Sequence, residues 1–191
     1  MSTTDYNLDN QQFSDAAHRL SVEEIYPQIF GCDKSAITVR DMNVHDGGIG
    51  AIYDGQLAID KLVTLSVPHL QAPLTFSVQE RFQRLEFMKY ASLTITEWNN
   101  NSNLPSELYK IKADFILYGY YDNKLQSLGR CIVVDASKLL RRIAMQSLTY
   151  TQRHNPRSNQ TFLAFKFTDL HAAGVVIWDS VQQGIQSHFL A

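Results

Sequence analysis

The chain has 191 residues, 45% of them hydrophobic and 11% aromatic, which suits one domain at the usual ~100–200 residues and is too apolar for wholesale disorder. No apolar run nears the ~20 residues of a membrane span, and the polar start MSTTDYNLDNQQ lacks the apolar stretch of a secretory leader; a cytoplasmic chain is the expectation. Net charge is −2, yet residues 1–103 carry seven basic against thirteen acidic side chains and residues 104–166 carry ten against four. A near-neutral total therefore does not exclude a basic face or a phosphate-bearing partner.

Residues 1–12 read as a flexible terminus and 13–191 as a single domain. Phe13, Ala16, Ala17 and Leu20 have helical spacing, and Ser21 with Glu24 fits a capping box. The spacing predicts a helix over 13–30, bent or restarted near Ser21, weakened at Pro27 and closed by Gly31. A short strand is expected at Ile37 to Arg40. The glycine-rich stretch Asp46 to Gly50 lacks any nucleotide-loop pattern. It reads as a mobile turn leading into a second turn at Asp54-Gly55.

From Ala58 to Phe82 the pattern is a hairpin: AIDKLVTLS, a turn around Pro68 to Pro73, then LTFSVQERF. Along its second strand, alternation puts Leu74, Phe76, Val78 and Phe82 on one face, and Thr75, Ser77, Gln79 and Arg81 on the other. Glu80 falls on the Val78 side. The hairpin ends bring Asp60 close to Gln79, Glu80 and Arg81.

Beyond the hairpin, Leu85 to Tyr90 reads as a short helix or extended arm, Leu93 to Thr96 as a strand and Asn99 to Asn103 as a polar loop. Pro105 and Ser106 open a short helix ending near Lys110. The apolar runs Ala113 to Tyr120 and Arg130 to Asp135 read as buried strands, the first of them central. A helix from about Lys138 to Leu148 is capped by Ser137 or Asp135. Thr149 to Gln160 reads as a loop carrying Arg153, His154 and Arg157. Thr161 to Phe167 and Gly174 to Trp178 are the last two strands. Cys32 and Cys131 have no metal-ligand spacing and read as buried free thiols. The six histidines form no H-E-x-x-H, and there is no G-x-S-x-G.

Asp60 on one strand with Gln79 and Arg81 on the next resembles the PD-(D/E)XK nuclease family. Gln79 stands at the position of the family's second acid and Arg81 at that of its lysine. KIKADFILYGYYD (Lys110 to Asp122) looks like the strand that follows this motif in phage and mobile-element nucleases. The resemblance covers roughly residues 20 to 135. It implies an α/β (α+β) fold, a mixed central sheet flanked by helices as in restriction-endonuclease-like proteins, and Mg²⁺- or Mn²⁺-dependent cleavage of double-stranded DNA. Asp60, Gln79, Glu80 and Arg81 are then the catalytic candidates. Asp60, Gln79 and an early-helix glutamate, Glu24 or Glu23, are the metal candidates, with Asp54 the runner-up to Asp60. An amide oxygen binds a hard cation but brings no charge. A guanidinium stabilises phosphate charge but is no general base. Lys110, Lys112, Arg141, Arg153 and Arg157 are the expected DNA contacts. A single domain that breaks a duplex is expected to pair with a copy of itself. The alternatives are a DNA-binding protein of this fold without cleavage, or a structural subunit in which Arg81 pairs with Asp60.

Overall fold

The computed structural model describes residues 3–42, 48–67 and 71–182. Helix α1 (Thr3–Leu20) begins inside the stretch read as a flexible terminus. It runs through a π turn at Ser21–Ile25 into α2 (Tyr26–Phe30). Gly31, at φ 61°, ends it in the left-handed conformation that favours glycine, as expected of a C-terminal cap. Ser21 is not an N-cap. It lies within the continuous helical path, fully buried, and its hydroxyl is used by tertiary contacts instead.

Strand β1 (Ile37–Asp41) follows, then α3 (Gly48–Leu57), β2 (Lys61–Leu65) and β3 (Leu74–Arg84). Asp54-Gly55 is therefore helical rather than a turn. The chain reverses at Ala58 instead, which takes φ 47°. The glycine-rich turn and the hairpin turn fall partly outside the described residues, at 43–47 and 68–70. Residues Leu85–Tyr90 form a 3₁₀ helix, then come β4 (Ser92–Asn99), β5 (Leu104–Pro105) and a 3₁₀ turn at Glu107–Tyr109. After them come β6 (Phe115–Asp122), β7 (Ser127–Asp135) and α4 (Ala136–Ala144). Asp135 is the α4 cap, its Oδ1 accepting from the Lys138 amide at 2.9 Å. The chain continues through β8 (Thr151–Asn155), β9 (Gln160–Lys166), α5 (Phe167–Ala172) and β10 (Val176–Asp179). Strand β8 replaces the expected loop. TQRHN has no apolar alternation and all five residues are exposed, so only its ladder to β9 marks it as a strand.

The architecture is α+β. A mixed six-stranded sheet has the order β1-β2-β3-β6-β7-β10, and a second sheet the order β5-β4-β9-β8. Strands β3 and β6 are parallel neighbours at the centre of the large sheet. Parallel strands need a crossover, and this one carries β4 and β5 of the small sheet. Ile25, Tyr26, Ile29 and Phe30 from the helical layer pack on Val63, Val78, Leu117 and Val133 across one face of the large sheet. On the other face, Ile116, Tyr118, Tyr120, Ile132 and Val134 pack with Leu93, Ile95, Leu163 and Phe165 of the small sheet and Leu139 and Leu170 of α4 and α5. Burial on both faces explains why the β6 sequence reads as a nearly unbroken apolar run. Cys131 is buried and free, while Cys32 is free but only half-buried. Among the described residues, no helix is long and apolar enough to cross a membrane.

Candidate functional site

The hairpin ladder stops at Lys61↔Val78, and Asp60 is where β2 departs from β3. The Asp60 amide still donates to the Val78 carbonyl at 3.0 Å, and the Asp60 carbonyl accepts from Met42 N–H at 2.8 Å. One residue earlier the chain has turned away, with Ile59 N–H on the Tyr53 carbonyl. The Glu80 amide is left facing this gap and donates to Asp60 Oδ2 at 2.7 Å. Continuing the register places Asp60 directly across from Gln79. Burial pushes the Asp60 carboxyl up from 3.8 to about 6, although the Glu80 amide and the His18 charge pull it down; the Glu80 and Asp54 charges add to the rise.

Alternation along β3 holds as the sequence predicts. Gln79 and Arg81 lie on the face of Ile116 and Tyr118, which are their partners in β6. Gln79 is 8% exposed, and its Oε1 is buried without a hydrogen-bond donor among the described residues. Arg81 does not pair with Asp60. Its Nη1 bonds Glu107 Oε2 and its Nη2 donates to Thr96 Oγ1 at 3.2 Å. The Thr96 amide adds a bond to the same Glu107 oxygen at 3.3 Å. Burial lowers the pKa of the Arg81 guanidinium, though it stays charged at neutral pH.

Glu80 is on the opposite face, with its side chain fully buried. Tyr26 Oη donates to Oε1 at 2.6 Å, and Ser21 Oγ lies 2.6 Å from the same oxygen. Ser21 has one proton to share between Glu80 and the His18 carbonyl, which is 2.7 Å away. His18 Nδ1 bonds Oε2, and Lys61 Nζ lies 4.0 Å from it while pairing with Asp41. Burial alone would lower the His18 pKa, but the hydrogen bond and charge of Glu80 outweigh it and raise the imidazole above its ordinary value. Burial, with the Glu80 charge, lifts the Tyr26 phenol well above the usual range. Glu80 is thus a saturated structural acceptor, while its backbone amide serves Asp60.

Asp60, Gln79 and Arg81 are brought together on one side of the hairpin, and Glu80 is not. Glu24 is exposed in the helical layer over the other face, with its carbonyl accepting from Gln28 Nε2 at 2.8 Å. Glu23 is exposed near Lys34. The structure brings neither to Gln79. Lys110 and Lys112 do come to the site's rim. Lys110 Nζ donates to the Gly55 carbonyl at 3.2 Å, and Lys112 N–H to the Leu57 carbonyl at 2.9 Å, three residues before Asp60. Arg141, Arg153 and Arg157 are exposed on α4, on β8 and in the β8–β9 turn.

No family model, curated protein or solved structure matches this chain.

Among the described residues, no group of three or more His, Cys, Asp or Glu side chains is placed to hold a metal ion. Any cation at this site must rely on an amide oxygen, and Gln79 Oε1 is a buried acceptor in need of a positive partner. To that extent the residues fit a hard cation. His18, Tyr26, Lys61 and Glu107 escaped the sequence reading. His18 lies off the apolar Phe13, Ala17 and Leu20 face, so helical spacing does not mark it, and its partner Glu80 is 62 residues away. Glu107 is 26 residues from its partner Arg81, and its spacing gives no warning of the contact.

Proposed function

We propose that the chain is a Mg²⁺- or Mn²⁺-dependent phosphodiesterase that cleaves double-stranded DNA, a cytoplasmic, homodimeric, restriction-endonuclease-like nuclease. One observation carries this reading. The Asp60 carboxylate is held by the Glu80 amide where β2 parts from β3, across from Gln79, whose buried Oε1 has no donor among the described residues. Asp60 and Gln79 would hold the cation, which supplies Lewis acidity at the scissile phosphate. Asp60 is ionised above about pH 6 and brings the negative charge that the amide lacks. Lys110 and Lys112 line the rim and suit the DNA backbone. Arg153 lies on the exposed edge strand β8 and Arg157 in the β8–β9 turn, and both suit contact with DNA phosphates. Arg141 adds a cation on α4.

The pairing of Arg81 with Glu107 favours a second reading, in which the fold binds DNA without cutting it, because no lysine stands at the Arg81 position and the guanidinium is already engaged. Supercoiled plasmid separates the two. The nuclease reading expects nicked or linear product in Mn²⁺, none in chelator and none from Asp60→Ala. Binding that weakens with salt at a log–log slope near ~−0.9 per phosphate, without cleavage in any divalent ion, would leave the second reading.

A further inference from the structure

The atom that stands out beside Gln79 Oε1 is Glu107 Oε1. Both are buried side-chain oxygens with no hydrogen-bond donor among the described residues. The Glu107 side chain is 11% exposed, and its other oxygen is fully engaged by Arg81 and the Thr96 amide. Buried acceptors left unpaired are costly and rare. Gln79 and Arg81 lie two residues apart on one face of β3, and Glu107 reaches that face through its bond to Arg81. The 3₁₀ turn bearing Glu107 is closed by its own backbone bonds and tied to the end of α3, which leads into Asp60. Ile111 N–H and Lys110 N–H donate to the Glu107 carbonyl at 3.1 and 2.8 Å, and Lys110 and Lys112 tie the segment to the end of α3.

The charges agree with this placement. Asp60 and Glu107 bring two carboxylates, Gln79 adds a neutral oxygen and Arg81 cancels one charge, so acceptor oxygens are in excess inside the rim formed by Lys110 and Lys112. We propose that Glu107 is the second carboxylate of the cation site, binding through Oε1 beside Gln79 Oε1 and Asp60, with Arg81 as the positioning residue that holds Oε2. This rests on the metal-dependent reading above. It restores the charge missing where glutamine stands in the motif, and draws it from a segment outside the hairpin. One or two carboxylates with other oxygens are enough for Mg²⁺, which keeps several of its waters. Arg81 orients a ligand here in the way outer-shell partners of metal ligands do.

The test is Mn²⁺ binding to the full chain without nucleic acid, read by loss of the free-ion electron paramagnetic resonance signal. The variants are Asp60→Asn, Glu107→Gln and the charge-balanced double Arg81→Met/Glu107→Gln. Circular dichroism identifies any variant that fails to fold, and the double removes the carboxylate without stranding a guanidinium. In the wild type, Mn²⁺ should also broaden the ¹³C carboxyl resonance of Glu107, which needs no variant. The expected result is at least ~10-fold weaker Mn²⁺ binding in each folded variant, the scale on which even outer-shell changes act, together with that broadening. If Asp60→Asn weakens binding while both Glu107 variants match the wild type, or the Glu107 resonance stays sharp, the Glu107 assignment is overturned and the metal reading stands. No Mn²⁺ binding by the wild type at millimolar concentration overturns both.

Discussion

The Glu80 amide donates to Asp60 Oδ2 at 2.7 Å while the Glu80 carboxylate accepts Tyr26 and Ser21 on the other side of the sheet. One residue thus joins the helical layer to the open end of the hairpin. A carboxylate saturated by buried donors fixes the local backbone, and that backbone fixes Asp60.

Asp60 carries a pH signature whose sign is the reverse of an ordinary salt-bridged aspartate. Its folded pKa is raised, so the folded state binds the proton more tightly than the unfolded chain and ionisation costs stability. The cost is absent below about 3.8 and complete above about 6. It amounts to at most about 3 kcal/mol. Asp60→Asn keeps an oxygen for the Glu80 amide and never ionises. Urea unfolding should show the variant more stable than wild type at pH 8, with the gain shrinking to under about 1 kcal/mol near pH 4. A constant difference across that range would contradict the burial of this carboxyl.

The His18–Glu80 pair predicts a dependence of the same sign in a higher pH window. The His18 pKa is raised in the folded state, so its stabilisation is present below the unfolded value of 6.5 and is lost as pH rises through the folded one. In Glu80→Gln the raising partner loses its charge while burial remains. An NMR titration of the His18 ring should then move from above 6.5 in wild type to below it in the variant. Glu80→Ala, which strands Tyr26 and His18, should cost about 3–5 kcal/mol.

Arg81 and Glu107 form a partly desolvated pair, and breaking it from one side should hurt more than removing it. Arg81→Met leaves Glu107 uncompensated, with only the Thr96 amide on Oε2, at a cost of about 3–5 kcal/mol. Arg81→Met/Glu107→Gln should recover at least about 1–2 kcal/mol of that loss in denaturant unfolding, because the uncompensated charge is gone. Equal stability of the single and double variants would mean the pair does not form.

Gly119 marks a close approach in β6. A Cβ there would lie 2.6 Å from Cys131 Sγ and 3.0 Å from Phe82 Cε1, under the helical layer. Gly119→Ala should destabilise by about 1–3 kcal/mol through overpacking. Adding Cys131→Ala removes the sulfur, so the double should lose less than the sum of the singles by about 1 kcal/mol in a double-mutant cycle.

What the sequence revealed was what local periodicity controls. Period-two alternation sorted Gln79 and Arg81 from Glu80 and Val78, and the apolar run in β6 announced a strand covered on both faces. Contacts between distant segments were not legible. Arg81 was read as free or paired to Asp60, but its partner lies on a 3₁₀ turn reached only after β4 and β5. Ser21 and Glu24 match a capping box, yet tertiary demand from Glu80 overrides that local signal. Strand β8 was hidden because an exposed edge strand needs no apolar face. It exists through its bonds to Gln160–Lys166, and its polar, basic side chains suit an edge that must not recruit other strands.

The π turn at Ser21–Ile25 sets the angular phase of everything after it. An α-helix turns ~100° per residue, so an unbroken helix would put Tyr26 roughly opposite Ala17. Yet Ala17, Ser21, Ile25, Tyr26, Ile29 and Phe30 are all buried on the sheet side. The π turn's i→i+5 bonding absorbs one extra residue and brings the second half of the path back round. This segment is therefore more sensitive to its length than to its composition. Replacing the exposed Glu23 or Glu24 leaves the phase untouched. Deleting Val22 would convert the turn to regular α-helix and keep Tyr26 in phase with Glu80, whereas inserting one residue would swing Tyr26 about 100° away.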